Sequence, residues 1–209
     1  MQTETDKPCG KREARKQDRQ QAILAIAQRS FLEHGYAGTS MSAIAAELGG
    51  SKATLWRYFR SKEALFEAVV DEATSAYRRQ VADLLRPSSD VRATVLAFAR
   101  GFLTKIVSRE ACQLHRLVAA EAGRSPEVGA IFARVPQRTR QLLADFFTGA
   151  MAAGQLRRGD PLAAAQVLTY LCMGLQQRIL WGGPDATAAE VEAEAHNATE
   201  IFLRAYAPE

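Results

Sequence analysis

The chain has 209 residues, of which 47% are hydrophobic and 24% charged, and its net charge is +4. This length suits one large domain or two small ones, and the apolar content supports a packed core. The sequence has no long uncharged apolar run and no signal-peptide pattern, so we expect a soluble, cytoplasmic protein that does not enter a membrane. Its three widely spaced cysteines exclude a disulfide framework.

The excess positive charge lies in the N-terminal third of the chain. Residues 1–62 contain 11 Lys/Arg against 6 Asp/Glu, whereas residues 63–209 contain 16 against 17. A basic segment followed by a nearly neutral one is typical of a nucleic-acid-binding module joined to a second module.

Residues 1–16 are polar and basic, which predicts a flexible arm. The arm either contacts the DNA backbone or minor groove or is a solvated tail, and the sequence leaves both open. The first helix is predicted over residues 18–34, where an apolar stripe includes Phe31 and Gly35 ends the helix.

The next stretch predicts two short helices, over about residues 42–48 and 52–59, joined by a tight turn. Gly49 and Gly50 can take the positive φ that such a turn needs, and Ser51 is a good N-cap for the second helix. The outer face of that helix carries cations, hydroxyls and hydrogen-bonding aromatic rings, which suit phosphates and base edges. The layout over residues 40–59 is that of a helix-turn-helix.

The rest of the chain is helical in pattern and shows no strand signal. A long helix that starts after Ser61 can link two modules, Pro136 should kink or split a later helix, and one helix should run from Asp160 to Trp181. We therefore predict an all-α protein of about nine helices. Its three-helix DNA-binding domain spans residues 17–77, and the long helix joins this to a helical ligand-binding and dimerisation domain over residues 78–209.

Two helices near the C-terminus carry apolar residues spaced alternately by four and three. These seams could be satisfied inside one subunit, but two adjacent apolar faces favour a four-helix bundle between two copies. The predicted interface residues are Leu168, Leu171, Leu175, Val191, Ala195, Ala198 and Phe202.

The second module is also rich in aromatic and apolar side chains with few polar groups, which is the composition of a small-molecule pocket. The candidate lining residues are Phe102, His115, Phe132, Phe146, Tyr170, Met173, Gln177 and Trp181. Each of them could instead be an ordinary core residue. The three histidines are scattered and there is no phosphate-binding glycine loop, so we predict no enzyme activity, cofactor or metal site. Cys112 and Cys172 are predicted to be buried, with no neighbour that would make them reactive.

The N-terminal pattern strongly resembles the TetR family of bacterial regulators. The matching residues are Gly35-Tyr36, Thr39-Ser40, Ile44-Ala45, Leu48-Gly49, Ser51-Lys52, Thr54-Leu55, Tyr58-Phe59 and the run Ser61-Lys62-Glu63-Ala64-Leu65-Phe66. There are three departures: Gly50 replaces a small apolar residue and should loosen the turn, Ala53 replaces Gly or Pro, and Trp56 replaces Tyr.

The resemblance implies DNA contacts from the turn and the second helix of the motif. The residues it assigns to DNA are Ser40, Ser42, Lys52, Thr54, Trp56, Arg57, Tyr58 and Lys62. Arg57 and Lys52 are the candidates for guanine recognition, since a bidentate Arg is the commonest specific contact. Trp56 and Tyr58 could instead pack between helices.

The second half resembles the AefR-like C-terminal domains of that family. The match rests on residues 115–122, Pro126-Glu127, Gly154-Gln155-Leu156, Asp160-Pro161, Ala164-Ala165 and the region of Gly174. The two resemblances together imply a dimeric repressor that binds a palindromic operator in double-stranded DNA and is released by a small apolar or amphipathic effector. The alternatives are an activator, or a ligand-binding or interaction protein of the same fold without sequence-specific DNA binding.

Overall fold

A computed structural model describes residues 9–86 and 90–208. In that part of the chain there are ten helices and no strand, so the prediction of an all-α fold is confirmed. In chain order the helices are α1 (Cys9–Gly38), α2 (Met41–Glu47), α3 (Lys52–Tyr58), α4 (Lys62–Leu84), α5 (Val91–Ile106), α6 (Arg109–Glu121), α7 (Pro126–Ala152), α8 (Pro161–Leu171), α9 (Gly174–Leu180) and α10 (Ala188–Tyr206).

Helix α1 begins earlier than the sequence pattern suggested. Residues 9–16, which we predicted as part of a flexible arm, are helical, because the Lys, Arg, Glu and Ala of residues 11–16 all favour a helix. The remainder of the predicted arm, residues 1–8, lies outside the described residues. Gly35 interrupts the helix with a positive φ of 75°, so the predicted stop is real although helical backbone resumes for one short turn.

The first three helices pack around one apolar core that α4 completes. Ile23 and Phe31 of α1, Ile44 of α2 and Leu55 of α3 are all essentially inaccessible to solvent. The ring of Phe31 meets that of Phe66 on α4 edge to face, with centroids 5.1 Å apart. The start of the linking helix is therefore part of the DNA-binding domain's core.

Helix α4 continues into the second module and is tied to α7 along its length. Arg134 on α7 donates to Glu67 at 2.6 Å, and Arg138 forms an ion pair with Asp71. A kink or a split is expected at Pro136. Helix α7 is continuous, so the split does not occur. A proline removes one backbone donor, and the long packed surface of α7 outweighs that loss.

The helix predicted from Asp160 to Trp181 is two helices. Helix α8 ends at Leu171, where the backbone N–H of Cys172 and of Met173 turn back to Thr169 and Tyr170. Helix α9 then starts at Gly174. This break raises the number of helices from about nine to ten.

The predicted dimer seams form the core of one subunit instead. Leu168, Ala195 and Phe202 are 0% exposed, because α10 packs against α5 and α8 within the same chain. The other seam residues are buried or half-buried in the same clusters: Leu171, Leu175, Val191 and Ala198. The intramolecular alternative therefore holds for Leu168, Ala195 and Phe202, while a dimer contact by the half-buried Leu171 and Leu175 stays a prediction.

Candidate DNA interface and ligand cavity

Both helices of the motif are capped by serine side chains. Ser40 accepts the backbone N–H of Ala43 at 3.1 Å, and Ser51 accepts that of Thr54 at 3.2 Å. Each bond satisfies a donor that the first turn of a helix leaves unpaired. The start of α2 and the start of α3 are thus fixed by local sequence.

The turn between α2 and α3 is closed by two backbone hydrogen bonds. Gly49 has a φ of 66° and its N–H donates to Ala46 at 3.0 Å, while the N–H of Gly50 donates to Ala45 at 3.2 Å. This is the Schellman arrangement of a helix C-terminus. The backbone N–H of Gly50 helps to close the turn, and the expectation that a glycine here loosens it stays a prediction.

Four of the predicted DNA-contacting side chains project into solvent from α2 and α3. Ser42 is exposed on α2, and Lys52, Trp56 and Arg57 are exposed on α3. The indole of Trp56 is 41% exposed, whereas the neighbouring Leu55 is 0% exposed and anchors the helix in the core. Cationic and aromatic groups are therefore presented together on the outer side of α3.

Lys62 and Tyr58 are directed more towards the protein than predicted. The Lys62 ammonium donates to the carbonyls of Tyr36 at 2.8 Å and Thr39 at 3.2 Å, and lies 4.4 Å from the Tyr36 ring centroid. Tyr58 is half-buried against the core, with the Arg57 guanidinium 5.7 Å from its ring centroid. Thr54 is also half-buried and bonds to the Ser51 hydroxyl, while Ser40 remains exposed at the start of α2.

A cavity of about 400 Å³ lies between the two modules. Five of the eight candidate residues line it: Phe102, His115, Phe132, Tyr170 and Met173. The other three do not line it. Phe146 is 8% exposed within the core of the second module, Gln177 is exposed, and Trp181 is 80% exposed.

On α9 the residue that lines the cavity is Gln176, next to the predicted Gln177. Gln176 is 4% exposed and its amide donates to the carbonyl of Ile106 at 2.8 Å.

The sequence pattern also missed the side of the cavity formed by the DNA-binding domain. Phe31 and Leu32 of α1, and Phe66 and Val69 of α4, all line the cavity. The apolar stripe that includes Phe31 predicts a core but gives no sign that one edge of that core is open. The cavity therefore touches the packing that holds α2 and α3.

Most of the polar side chains around the cavity are uncharged, and Arg78 and Glu110 are among the charged exceptions. Burial lowers the pKa of His115, which favours the neutral imidazole, and its ring meets Phe132 edge to face at 5.6 Å. Burial raises the pKa of Tyr77, whose hydroxyl oxygen has no partner among the described residues. Lys105 and Arg140 are also among the lining residues.

Both cysteines with described side chains are buried thiols. Burial raises the pKa of Cys172 to about 12 and also raises that of Cys112, so neither is a thiolate at neutral pH. Among residues 9–86 and 90–208, no cluster of His, Cys, Asp or Glu could hold a metal ion. No helix in those ranges is both long and apolar enough to cross a membrane.

A capped helix-turn-helix with an exposed basic recognition helix, joined to a helical module with a cavity, defines a ligand-binding class of DNA-binding regulator. Family models match both parts of the chain: residues 23–69 match bacterial regulatory proteins of the tetR family, and residues 93–208 match the AefR-like transcriptional repressor C-terminal domain. The chain belongs to the TetR family of DNA-binding transcriptional regulators.

Several individual proteins are similar to this chain over most of its length. The solved structure of the flavonoid-responsive regulator FrrA is 33% identical, covers 92% of this chain and 98% of its own, and has a TM-score of 0.80. A TetR-family regulator from Mesorhizobium loti MAFF303099 is 28% identical over 91% of this chain and 97% of its own, with a TM-score of 0.77. The nucleoid occlusion factor SlmA of Haemophilus influenzae is 27% identical over 76% of this chain and 73% of its own.

Proposed function

We propose that this protein is a cytoplasmic repressor that binds a palindromic operator as a dimer and is released by a small effector. The observation that carries the proposal is the cavity between the modules, which is lined by Phe31 of α1, Phe66 of α4 and Phe132 of α7. A molecule held there contacts the core of the DNA-binding domain and the second module at once. Its binding can therefore favour one orientation of α2 and α3 over another.

DNA recognition rests on the exposed outer side of α3. Arg57 and Lys52 reach guanine edges in the major groove, while Ser40, Ser42, Thr54, Trp56 and Tyr58 contact the backbone or neighbouring bases. Lys62 keeps one of its three donors for a phosphate, because two are used inside the domain. Two such surfaces in a dimer fit half-sites one helical turn apart.

The second copy packs on an apolar face of α8 and α10 different from the predicted seams. On α8, Leu162 is 48% exposed and Val167 is 38% exposed, and on α10 Ile201 is 43% exposed. Large apolar side chains exposed on two helices that pack together can be buried by a second copy of the chain. A four-helix bundle formed by α8 and α10 of two subunits would bury them.

The effector is a mostly apolar, ring-containing molecule with a few hydroxyl or carbonyl groups. A volume of about 400 Å³ holds a molecule of two or three rings. Gln176, His115 and Lys105 supply a small number of polar contacts within an aromatic wall. The similarity to the flavonoid-responsive FrrA makes flavonoids the first class to test.

The decisive experiment is DNase footprinting on DNA flanking the protein's own gene, over a series of salt concentrations and with a panel of flavonoids. We expect a symmetric footprint whose affinity falls with salt and is lost with one class of effector. A folded dimer that binds no DNA at low salt would refute the repressor proposal and leave the interaction-protein alternative. A reporter gene on the same promoter separates repression from activation.

A matched pair of substitutions tests the cavity. Ala73 lines the cavity on α4, so Ala73→Leu should fill part of it and abolish release by any flavonoid that releases the wild type. Ala76, exposed on the same helix and absent from the lining of the cavity, serves as the control, and Ala76→Leu should leave release unchanged. Equal effects of the two substitutions would place the effector elsewhere.

A second candidate function follows from the similarity to SlmA, which is named for nucleoid occlusion rather than transcription. In that case the protein binds specific DNA sites without controlling the genes beside them. Footprints at many sites, combined with unchanged reporter expression, would favour this candidate over the repressor.

A further inference from the structure

One side chain of α1 reaches the turn between α2 and α3. The Nη2 atom of Arg19 donates to the carbonyl of Leu48 at 3.3 Å, and Leu48 is the C-cap of α2. The two Schellman hydrogen bonds use the carbonyls of Ala45 and Ala46, so the Leu48 carbonyl is a separate acceptor beside them. A guanidinium there also faces the negative end of the α2 dipole.

A second arginine of α1 binds the same end of α2. Arg29 forms an ion pair with Glu47, the last residue of that helix. Both groups of that pair are about half exposed, so the pair contributes little by itself. Arg19 is half-buried and bonds to backbone, which makes it the more rigid of the two connections.

Gly50 leaves the space that Arg19 occupies. A Cβ atom at position 50 would lie 3.0 Å from the same Nη2 atom, and the next nearest atom, Cδ2 of Leu48, would be 3.9 Å away. The backbone of Gly50 does not have a positive φ, so the glycine is not needed for conformation; what it provides is room for the guanidinium, which a Cβ would force to shift. The TetR-like pattern has a small apolar residue at this position, so this chain has replaced that side chain with a guanidinium group.

We propose that Arg19 is a positioning residue for DNA recognition, and that Gly50 is present to admit it. Arg19 holds the Leu48 carbonyl and thereby fixes the turn that leads into Ser51, the N-cap of α3. It acts on the orientation of α3 and does not neutralise a phosphate. This inference rests on the DNA-binding role of α3.

A double-mutant cycle on DNA tests the proposal. The probe is a duplex selected by the wild-type protein from random-sequence DNA, and affinity is measured by fluorescence anisotropy over a range of salt concentrations. Arg19→Ala should weaken binding about tenfold per half-site, the order expected for one hydrogen bond from a charged group. The slope of affinity against salt should not change, because no phosphate contact is lost.

Gly50→Ala keeps every cation and should cause a smaller loss, since its Cβ forces the guanidinium to shift away from the Leu48 carbonyl. In an Arg19→Ala background the same substitution should cost almost nothing, because its nearest remaining neighbour is at an ordinary contact distance. Arg19→Lys should restore part of the affinity through the same carbonyl. Arg15→Ala is the control. Arg15 is an exposed cation one turn earlier on α1, so its substitution should change at most the salt slope.

Trp56 provides a measurement that needs no DNA. In a Trp181→Phe background it is the single tryptophan, and its fluorescence anisotropy reports the mobility of α3. Arg19→Ala and Gly50→Ala should lower that anisotropy while the thermal unfolding midpoint stays close to that of the parent. Additive losses in the cycle, a reduced salt slope for Arg19→Ala, or unchanged Trp56 anisotropy would each overturn the proposal. Failure of the wild type to bind any DNA would instead refute the proposed function.

Discussion

Phe202 of α10 lies in the core of one subunit, whereas the adjacent residue Ile201 lies in the proposed interface between two subunits. Phe202 is 0% exposed, and its ring stacks on Phe147 at 5.0 Å and on Tyr206 at 4.7 Å. Phe202→Ala removes this packing and leaves a cavity, so we expect a loss of about 3–5 kcal/mol in the free energy of unfolding. Two stacked ring pairs place the loss at the upper end of that range.

Ile201 should behave in the opposite way. Its side chain is 43% exposed in the single subunit, so Ile201→Glu should change the folding of that subunit by less than about 1 kcal/mol. In a twofold interface the same substitution buries two unpaired carboxylates. The dimer dissociation constant should therefore rise by about a hundredfold or more, equivalent to roughly 3 kcal/mol.

Sedimentation equilibrium measures the dissociation constant, and urea unfolding followed by circular dichroism measures stability. Phe202→Ala should lower the unfolding midpoint and leave the folded protein dimeric at concentrations where the wild type is dimeric. Ile201→Glu should give folded monomers under those conditions. If Phe202→Ala instead gave folded monomers and Ile201→Glu remained dimeric, the assignment of the seam to the intramolecular core would be wrong.

Three further predictions concern the second module. The hydrogen bond from Arg178 holds the pKa of Glu190 at about 2. At pH values above the ordinary pKa of a glutamate this carboxylate therefore stabilises the fold, and the stabilisation is lost as the pH falls towards 2. The difference in urea stability between the wild type and Glu190→Gln should therefore shrink on acidification. Cys172, whose pKa is raised to about 12, should resist iodoacetamide until the protein unfolds, as followed by mass spectrometry. Gly183→Ala should lower stability by about 1–3 kcal/mol, because its Cβ would lie 2.9 Å from the carbonyl oxygen of Arg178, whereas Gly159→Ala meets no neighbour and should not, as calorimetry can show.

The sequence predicts well the features that are set by neighbouring residues. The N-caps Ser40, Ser51 and Ser61 each bond to the backbone N–H three residues further on. The positive φ at Gly35 and Gly49 is a local steric requirement in the same way. Because these signals depend only on nearby residues, they place the helix-turn-helix to within one residue without any knowledge of tertiary packing.

Features that depend on distant contacts are predicted less well. An apolar seam such as Leu168 with Phe202 has the same spacing whether it packs within one subunit or between two, so spacing alone cannot assign it. Membership of the cavity depends on distant contacts in the same way, since Gln176 lines it while the adjacent Gln177 does not and Trp181 is 80% exposed. The contact of Arg19 with Leu48 has no sequence signal except the unexpected glycine at position 50.

The binding free energy that each effector molecule has to supply depends on how many cavities act on the same DNA-bound orientation. Moving a two-state equilibrium from 99:1 to 1:99 requires about 5.5 kcal/mol of differential binding. A dimer has two cavities that act on one DNA-bound orientation, so each has to supply only about half of that, ~2.7 kcal/mol. Burial of one aromatic group is of this size, and Phe31 and Phe66 lie both at the cavity wall and in the core beneath α2 and α3. Since packed cores respond to displacement as a unit, a ligand that moves these two rings can reorient the recognition helix without a longer pathway through the protein.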